Sequence, residues 1–294
     1  MARISIIGSG WVGTIVGKGF KELDNDVIFV DINEEKVNQL KKEGYEATTD
    51  TDFAVKNTDI SFISVPTPTS SGKIDLKYIK SASESIGKSL KDKHSYHVVV
   101  IKSTVIPKTT EEVVKPILEE ISGKKCGEDF GLCMVPEFLT QIHSSWSKDS
   151  KNKRDFFSED RIVIGGFDKR SGDTIEELFK PLRVPIFRTD LMTAELIKYA
   201  SNCCLASRIS YWNEVFYICN QIGIDSDLVA KIAALDKRIG KYGTIHGKGF
   251  GGTCFPKDLQ AFISFSEKVG HNPIFLKAVR DINEKIKKDR GVRE

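Results

Sequence analysis

The sequence lacks three features that mark particular classes of protein. No apolar run approaches the ~18 residues that a transmembrane helix needs, so we expect no membrane partner. Neither sign of charge dominates, because 44 Lys and Arg against 41 Asp and Glu give a formal net charge of +3, and nucleic acid is not an expected partner. The chain starts Met-Ala-Arg and enters a predicted strand at once, so we also expect no signal peptide.

The cysteines show neither the spacing of a disulfide framework nor that of a metal site. Three of the six fall in one predicted helix. The six are Cys126, Cys133, Cys203, Cys204, Cys219 and Cys254. Reduced thiols in a cytoplasmic protein are the simplest interpretation, and we expect no bound metal.

A glycine-rich turn follows the first predicted strand, Arg3 to Ile7. The turn Gly8-Ser9-Gly10-Trp11-Val12-Gly13 has the GxGxxG pattern and opens a helix. Its glycines permit a tight turn, close approach of a pyrophosphate to the helix N-terminus, and helix–strand packing. The next strand ends at Asp31, 18 residues beyond Gly13, where a carboxylate binds a ribose 2′-hydroxyl and repels a 2′-phosphate. NAD is therefore the predicted cofactor. The alternative is a tight βα turn in some other doubly wound domain.

Strand and helix then alternate, and polar residues follow two of the strands. Asp59 to Val65 ends in a rigid Pro-Thr-Pro loop, which makes Thr67 a candidate cofactor contact. His97 to Lys102 is followed by the hydroxyl pair Ser103-Thr104. These hydroxyls face the cofactor or substrate, or alternatively they cap the helix predicted near Thr109.

The next strand, Phe130 to Val135, is followed by Glu137, the only acid at that strand end. It is a candidate general base, and a solvated loop acid is the alternative. The segment 141–160 is highly charged with both signs interspersed, so we expect an exposed, mobile loop. The rest of this half is predicted as a strand at 161–166, a helix at 168–180 and a strand at 184–188.

A long helix, which Thr189 or Asp190 can cap, is predicted to run to about Ile222. It is apolar on more than one face, as in the spine of a domain or a dimer contact, so we expect a homodimer. Lys198 and Asn202 share one face of it, and burying them without a purpose is costly. A partly solvated stripe is the alternative. The remaining predicted helices run from a cap at Ser226 to about Leu235, from Pro256 to Gly270, and from Pro273 to Lys288.

Four glycines crowd the stretch Gly247-Lys248-Gly249-Phe250-Gly251-Gly252-Thr253-Cys254-Phe255-Pro256-Lys257-Asp258. Glycine lets the backbone approach a ligand closely, and Pro256 fits the first turn of a helix. Cys254 then lies just ahead of a helix N-terminus, whose partial positive charge favours thiolate over thiol. We interpret Cys254 as a nucleophile. A buried, inert cysteine in a glycine-rich turn is the alternative.

These elements predict an α/β fold: a Rossmann-type, doubly wound, mostly parallel sheet that binds NAD at residues 1–189, then an all-helical domain with one long central helix at residues 190–294. Several of its segments together resemble the UDP-glucose/GDP-mannose dehydrogenase family, most closely the UDP-glucose 6-dehydrogenases. The resemblance spans nearly the whole chain. The segments that carry it are the GxGxxG turn, Val65-Pro66-Thr67-Pro68, Lys102-Ser103-Thr104-Val105, Pro136-Glu137-Phe138-Leu139, Ala194-Glu195-Leu196-Ile197-Lys198 with Asn202, and Gly249 to Asp258.

The resemblance implies NAD-dependent oxidation of C6 of a nucleotide sugar in two steps, with Cys254 forming a thiohemiacetal and then a thioester that water hydrolyses. It implies that Lys198 stabilises developing oxyanions and that Asn202 helps to position the same oxygen or a water. It also implies that Asp258 orients Lys198 and the hydrolytic water, and that Thr104 and Glu137 hold that water and act in general acid–base steps. The substrate contacts that it implies are Glu137, Phe138, Leu139, Lys198, Asn202, Phe250, Gly251 and, from a neighbouring subunit, Arg238. The cofactor contacts are Gly8, Gly10, Val12, Gly13, Asp31, Thr67 and Thr104.

The chain departs from the family pattern in three ways. It ends at Glu294, before the third domain that normally holds the nucleotide of the sugar nucleotide. The run Thr140-Gln141-Ile142 replaces a segment that usually carries a second glutamate, and the charged loop after it looks expanded. Two other functions stay open at this stage. One is a β-hydroxyacid dehydrogenase, which needs no cysteine, and the other is a non-catalytic NAD-binding or dimer-forming core.

Overall fold

A computed structural model describes residues 1–70, 72–140, 146 and 155–293. The chain forms two compact units. The first, which we call the sheet unit, comprises Met1–Pro68, Asp75–Leu139 and Arg154–Lys198. The second, the helical unit, comprises Thr69–Ile74, Thr140–Lys153 and Tyr199–Glu294. The domain boundary at residues 189 and 190 stays a prediction. The loop predicted at 141–160, with Gln141 and Ile142, lies largely outside the described residues.

The described residues contain twelve strands and ten α-helices. The strands are β1 (Arg3–Ile7), β2 (Asp26–Val30), β3 (Glu46–Thr48), β4 (Ile60–Ile63), β5 (Thr69–Ser70), β6 (Lys73–Ile74), β7 (His97–Ile101), β8 (Phe130–Met134), β9 (Ile162–Gly166), β10 (Ile186–Thr189), β11 (Gly249–Phe250) and β12 (Val292–Arg293). The helices are α1 (Trp11–Glu22), α2 (Glu34–Lys42), α3 (Thr51–Lys56), α4 (Lys77–Lys91), α5 (Lys115–Ser122), α6 (Lys169–Phe179), α7 (Leu191–Ile222), α8 (Ser226–Ala233), α9 (Phe255–Lys268) and α10 (Ile274–Arg290).

An eight-stranded sheet in the order β10-β9-β8-β7-β4-β1-β2-β3 forms the centre of the sheet unit. Neighbouring strands are parallel except β8 and β9, which pair antiparallel. The strand order reverses between β1 and β4, and in open α/β sheets ligands bind outside the carboxyl ends of the strands at such a point. The predicted Rossmann-type, mostly parallel sheet is confirmed.

Both faces of this sheet are buried, as continuous apolar strands such as His-Val-Val-Val-Ile in β7 require. Alternate residues of β7 point to opposite sides. Val98 and Val100 join the apolar cluster that contains Phe20 and Phe62. Val99 and Ile101 join the other cluster, which includes residues of α4 and α5. Helices therefore cover the sheet on both sides and leave the strand ends for the site.

The helical unit contains most of α7, which has 32 residues and is the predicted long central helix. Its core gathers Cys203, Ala206 and Ile209 from α7 with apolar residues of α9 and α10. The short strands β11 and β12 pair in parallel, and β5 and β6 form an antiparallel pair. No helix among the described residues combines the length and apolar composition that crossing a bilayer requires.

Most strand and helix predictions match these bounds to within two or three residues, and three differences have physical causes. The helix predicted near Thr109 starts as a π-helical turn, Thr110–Val114, before α5. The cap of α8 is Asp225 rather than Ser226, because the Asp225 carboxylate accepts hydrogen bonds from the Asp227 and Leu228 amides. The two-residue strands β5, β6, β11 and β12 were not predicted, because such short strands have no periodicity.

Candidate active site

The GxGxxG turn lies between β1 and α1, and backbone packing fixes two of its glycines. Gly8 has a φ of +98°, and a Cβ there would lie 2.6 Å from the Ser64 carbonyl oxygen. A Cβ on Gly13 would lie 2.1 Å from the Gly8 carbonyl oxygen. Neither position therefore accepts a side chain. Val12 is partly buried and packs against one of the two apolar clusters of the sheet.

Gly10 differs, because a Cβ there would meet no atom of the described chain within 4 Å. Gly10 is the N-cap of α1 and has no side chain that could cap this helix end. The backbone thus leaves open space over a helix N-terminus, where the amides and the helix dipole favour an anion. This cradle fits the pyrophosphate of NAD.

Asp31 follows β2 and its carboxylate is held behind the same turn. One oxygen accepts a hydrogen bond from the Ser9 amide at 2.9 Å, and the other accepts one from the Asn33 amide at 3.0 Å. The Lys36 ammonium lies 3.5 Å away. The carboxylate is therefore fixed at the carboxyl end of β2, the position from which an acid recognises a ribose hydroxyl.

The loops after β4 and β7 are tied to each other. Thr67 Oγ1 donates to the Thr104 carbonyl oxygen at 2.8 Å, and Ser103 Oγ donates to the Val65 carbonyl oxygen at 2.7 Å. The Ser103 hydroxyl therefore does not cap a helix, and Thr104 is half-buried beside it. These bonds hold Thr67 and Thr104 at the carboxyl ends of two adjacent strands.

Glu137 and Lys198 form a buried ion pair in the sheet unit. Lys198 Nζ donates to the Glu137 backbone carbonyl at 2.6 Å and to Glu137 Oε1 at 3.0 Å, and the two side chains are 5% and 9% exposed. The other carboxylate oxygen accepts the Leu139 amide at 2.7 Å. Phe138 is buried, with the Arg161 guanidinium 4.1 Å from its ring centroid. The alternatives of a solvated loop acid for Glu137 and of a partly solvated helix face at Lys198 are therefore wrong, because both side chains are buried.

Lys102 and Glu159 are also buried in the sheet unit, and the sequence analysis named neither as a candidate site residue. Lys102 Nζ donates to the Pro136 carbonyl oxygen at 3.1 Å, next to Glu137 in the chain. Burial lowers the pKa of Lys102 and raises the pKa of Glu159. Burial therefore disfavours the charged form of each of these two groups.

Glu195 on α7 was quoted only as part of a motif, and the structure gives it a specific task. Its carboxylate accepts hydrogen bonds from the Thr110 amide at 2.7 Å, the Thr110 hydroxyl at 2.6 Å and the Lys108 amide at 2.6 Å. Burial raises the pKa of Glu195 to about 7. Glu195 therefore fixes the start of the π-helical turn, a few residues after Thr104.

The helical unit holds Asn202 against Asp258. Asn202 Nδ2 donates to Asp258 Oδ2 at 2.7 Å, and the Lys257 ammonium lies 2.5 Å from Asp258 Oδ1. Asp258 is 1% exposed and Asn202 is 7% exposed. A buried carboxylate with an amide on one oxygen and a cation on the other is well suited to fix the direction of a further proton donor or water.

Cys254 is exposed and is the N-cap residue of α9, with Pro256 in the first turn as predicted. The Cys254 side chain makes no capping hydrogen bond to the first turn of α9. The Asp258 amide donates to the Cys254 carbonyl at 2.9 Å, which is the first bond of the helix. The Thr253 hydroxyl lies 3.8 Å from the sulfur. The thiol thus faces solvent at a helix N-terminus, the environment that favours thiolate.

The last predicted substrate contacts have different settings in the helical unit. The Arg238 side chain is 90% exposed and pairs with Asp236 at 2.6 Å. Phe250 is buried in the core, so its ring gives no support to a predicted substrate contact. Gly251 is partly buried, and a Cβ there would lie 2.4 Å from Val292 Cγ1. Within the described chain, no group of three or more His, Cys, Asp or Glu side chains is placed to hold a metal ion.

Comparison with known proteins gives consistent matches. The model of the NAD binding domain of the UDP-glucose/GDP-mannose dehydrogenase family matches residues 2–46 and 42–183, and that of its central domain matches residues 192–285. The UDP-glucose 6-dehydrogenase AglM of Haloferax volcanii is 40% identical over 307 residues, which cover 96% of this chain and 69% of that protein. A GDP-mannose 6-dehydrogenase of Pseudomonas syringae is 37% identical over 282 residues, covering 88% of this chain and 63% of that protein.

A solved UDP-glucose dehydrogenase from the archaeon Pyrobaculum islandicum superposes with a TM-score of 0.88 at 35% identity. The match covers 98% of this chain and 69% of that one. The chain thus spans about two thirds of the length of the relatives that it matches.

Proposed function

The chain belongs to the UDP-glucose/GDP-mannose dehydrogenase family, and on that premise we propose that it oxidises the C6 hydroxyl of a nucleotide sugar to a carboxylate. NAD is the cofactor of the family. UDP-glucose, which would give UDP-glucuronate, is our first candidate substrate. The observation that carries the proposal is an exposed cysteine at a helix N-terminus, because two successive oxidations at one carbon need a group that retains the aldehyde.

When bound, NAD supplies an acceptor for one hydride in each of two rounds of oxidation. We propose that it is held by Gly8, Gly10, Val12 and Gly13 at the pyrophosphate, Asp31 at the ribose, and Thr67 with Thr104 near the reacting end. The open space over Gly10 and the fixed Asp31 carboxylate support this assignment. A 2′-phosphate would meet the Asp31 charge, so NADP is disfavoured.

The sugar undergoes four changes in this proposal. C6 first loses a hydride, and its hydroxyl proton passes to a base. The Cys254 thiolate then adds to the aldehyde carbon, and protonation of the oxygen gives a thiohemiacetal. Loss of a second hydride and of that proton gives a thioester. One water finally adds to the thioester carbon and the C–S bond breaks, which yields the carboxylate, regenerates the thiolate and releases two protons.

The chain's own polar groups have distinct tasks in these steps. The Lys198 ammonium stabilises negative charge as it develops on the C6 oxygen, and Asn202 donates an amide hydrogen to the same oxygen. Glu137 holds Lys198 and exchanges protons, and Thr104 helps to hold the hydrolytic water. Asp258 fixes Asn202 and the direction of that water. The ion pair of Lys198 with Glu137 and the Asn202–Asp258 hydrogen bond support these roles.

Phe138, Leu139, Phe250, Gly251 and Arg238 remain proposed substrate contacts. Arg238 is the strongest of them, because its guanidinium is exposed and its planar fork suits a carboxylate. Phe250 has the least support, since its ring lies in the core. An Arg238→Lys variant tests this ranking through the KM for the sugar nucleotide.

The test is NADH formation with NAD and, in turn, UDP-glucose, GDP-mannose and a UDP-N-acetylhexosamine. We expect two NADH for each sugar oxidised and a carboxylate product. Cys254→Ala abolishes this stoichiometry, whereas Cys204→Ala, which alters another exposed cysteine of the helical unit, does not. If the Cys254→Ala variant still forms two NADH for each sugar, Cys254 is not the nucleophile. Oxidation of a β-hydroxyacid to a ketone, with no NADH formed from any sugar nucleotide, would indicate a β-hydroxyacid dehydrogenase. NAD binding without oxidation of either class of substrate would indicate a non-catalytic core.

We also propose that the chain acts as a cytoplasmic homodimer. Helices α7 and α8 expose large apolar side chains, among them Tyr211 (61% exposed), Ile222 (63%) and Ile232 (58%). Apolar side chains clustered at a surface are typical of protein interfaces. None of the six cysteines forms a disulfide, and the cytoplasmic compartment stays a prediction. Sedimentation equilibrium that shows a stable monomer would contradict the dimer.

A further inference from the structure

The segment that leads to Cys254 is held by two buried asparagines of the helical unit. Asn213 on α7 and Asn283 on α10 are 0% and 2% exposed. Neither lies near the cysteine in sequence. Each uses both ends of its side-chain amide on the backbone of the glycine-rich stretch, which we call the cysteine loop (Gly247 to Thr253).

Asn213 binds the start of the cysteine loop. Its Oδ1 accepts a hydrogen bond from the Gly247 amide at 2.8 Å, and its Nδ2 donates to the Lys248 carbonyl oxygen at 3.0 Å. Because an amide presents a donor and an acceptor side by side, it satisfies two consecutive backbone groups at once. A carboxylate in its place would set an oxygen against the Lys248 carbonyl.

Asn283 binds the middle of the cysteine loop in the manner of a neighbouring strand. Its Oδ1 accepts from the Phe250 amide at 2.8 Å and its Nδ2 donates to the Phe250 carbonyl at 3.1 Å. The ring of Phe250 is buried in the same core. On the other side, the Gly249 amide donates to the Gly291 carbonyl at 3.1 Å, where β11 pairs with β12.

The anchoring leaves no room for a side chain at Gly249. A Cβ on Gly249 would lie 2.3 Å from Lys287 Cγ and 3.1 Å from Asn283 Oδ1. Beyond the anchor the loop opens, because Gly252 has a φ of +74° and a Cβ there would meet no atom of the described residues within 4 Å. Three residues separate Phe250, the last anchored residue, from Cys254. The path of those residues therefore decides where the sulfur lies relative to the first turn of α9.

We propose that Asn213 and Asn283 are positioning residues that hold the Cys254 thiol at the N-terminus of α9. The functional importance of this position depends on the proposed role of Cys254 as nucleophile. The physical effect does not depend on that role, because a thiol kept at a helix N-terminus ionises and reacts more readily than one that drifts from it. Asn213 and Asn283 act through Cys254 and touch no reacting atom.

The test uses Asn283→Asp and Asn213→Asp in the full chain. Each substitution keeps the side chain's shape and one acceptor oxygen but turns the donor end into a second acceptor that faces a carbonyl. Asn272→Asp is the matched control, because Asn272 is an exposed asparagine of the same unit. The readout is the rate of alkylation by iodoacetamide at Cys254, measured by peptide mass spectrometry against pH, with Cys204 as an internal reference.

We expect each of the two variants to slow alkylation of Cys254 at neutral pH by about tenfold, as for a rise of about one unit in the pKa of the thiol. Asn272→Asp leaves the rate unchanged, and the rate at Cys204 is constant throughout. Equal rates and pH profiles at Cys254 in both variants and the wild type would overturn the proposal. So would parallel changes at Cys254 and Cys204, which report general loosening of the unit.

If an aspartate variant does not fold, Asn213→Ser and Asn283→Ser give the same comparison, because a hydroxyl removes one of the two bonds without adding charge. The alkylation assay needs no sugar nucleotide, so it distinguishes the two ideas. Slow alkylation in the variants of a chain that oxidises no sugar nucleotide would support the positioning role and refute the proposed function. Unchanged alkylation in an active enzyme would do the reverse.

Discussion

Replacing Lys198 with Met separates the structural role of the buried ion pair from its catalytic role. Lys198 Nζ lies 3.0 Å from Glu137 Oε1, and the two side chains are only 5% and 9% exposed. Removal of the cation leaves a carboxylate at a buried position without its charge partner. Breaking a buried pair in this way costs about 3–5 kcal/mol. We therefore expect the free energy of unfolding of the sheet unit to fall by about that amount.

The double variant Lys198→Met with Glu137→Leu removes both charges and fills a similar volume. Replacing a buried pair by apolar side chains is often nearly neutral for stability. We expect the double variant to recover most of the stability lost in Lys198→Met, within about 1–2 kcal/mol of the wild type. It nevertheless forms no NADH, because neither proposed catalytic group is present. Stability and activity then respond differently to the same pair.

The assay is urea denaturation combined with amide hydrogen exchange of strand β8, which reports on the sheet unit by itself. Lys56→Met is the control, because Lys56 pairs with Asp52 at 2.7 Å on an exposed helix surface. Such pairs contribute little, so we expect no measurable change there. A wild-type unfolding midpoint in Lys198→Met would refute the reasoning, since the carboxylate would then be solvated. A double variant as unstable as Lys198→Met would refute it too.

Four further predictions follow from the sheet unit. Gly10→Ala weakens NAD binding by about 1–3 kcal/mol and leaves the stability of the protein without NAD unchanged. Gly13→Ala lowers the melting temperature of the protein without NAD, because the new Cβ would lie 2.1 Å from the Gly8 carbonyl oxygen. Asp31→Ser reduces the preference for NAD over NADP, which paired Kd values measure. Burial lowers the pKa of His97 to about 3, so the unfolded state takes up a proton before the folded state does as the pH falls. Up to about 5 kcal/mol of stability is therefore lost between pH 6.5 and pH 3. We expect the urea midpoint of His97→Gln to depend less on pH than that of the wild type. Lys108 has a φ of +78°, a conformation that glycine adopts without strain. We therefore expect Lys108→Gly to raise the free energy of unfolding by about 1 kcal/mol and Lys108→Ala to leave it unchanged.

The sheet and its cofactor turn could be predicted because their signals are local. A buried strand such as His97–Ile101 shows itself as an apolar run, and the GxGxxG turn fixes a strand, a turn and a helix within a dozen residues. The cap of α8 shows the limit of such reasoning. Asp225 and Ser226 are adjacent, and both residue types are favoured at the N-cap of a helix. Asp225 is the N-cap because its backbone is extended, and this conformation is visible only in the structure.

The supports of the site could not be predicted, because they join residues that are distant in sequence. Asn283 binds Phe250 across 33 residues, and Glu195 binds Thr110 across 85. An asparagine or glutamate in a helix has no local pattern that tells a buried anchor from a solvated side chain. The partner backbone alone makes the difference, and it becomes visible only when the fold brings it within hydrogen-bonding distance.

The motif around Lys198 shows how one helical turn serves both purposes. Glu195 and Lys198 stand three residues apart on α7, so they share a face of the helix. Glu195 fixes the backbone from Lys108 to Thr110, and Lys198 fixes the carbonyl and carboxylate of Glu137. The loops after β7 and β8 are therefore both held by the same turn of α7. A shift of that turn would therefore move both loops at once.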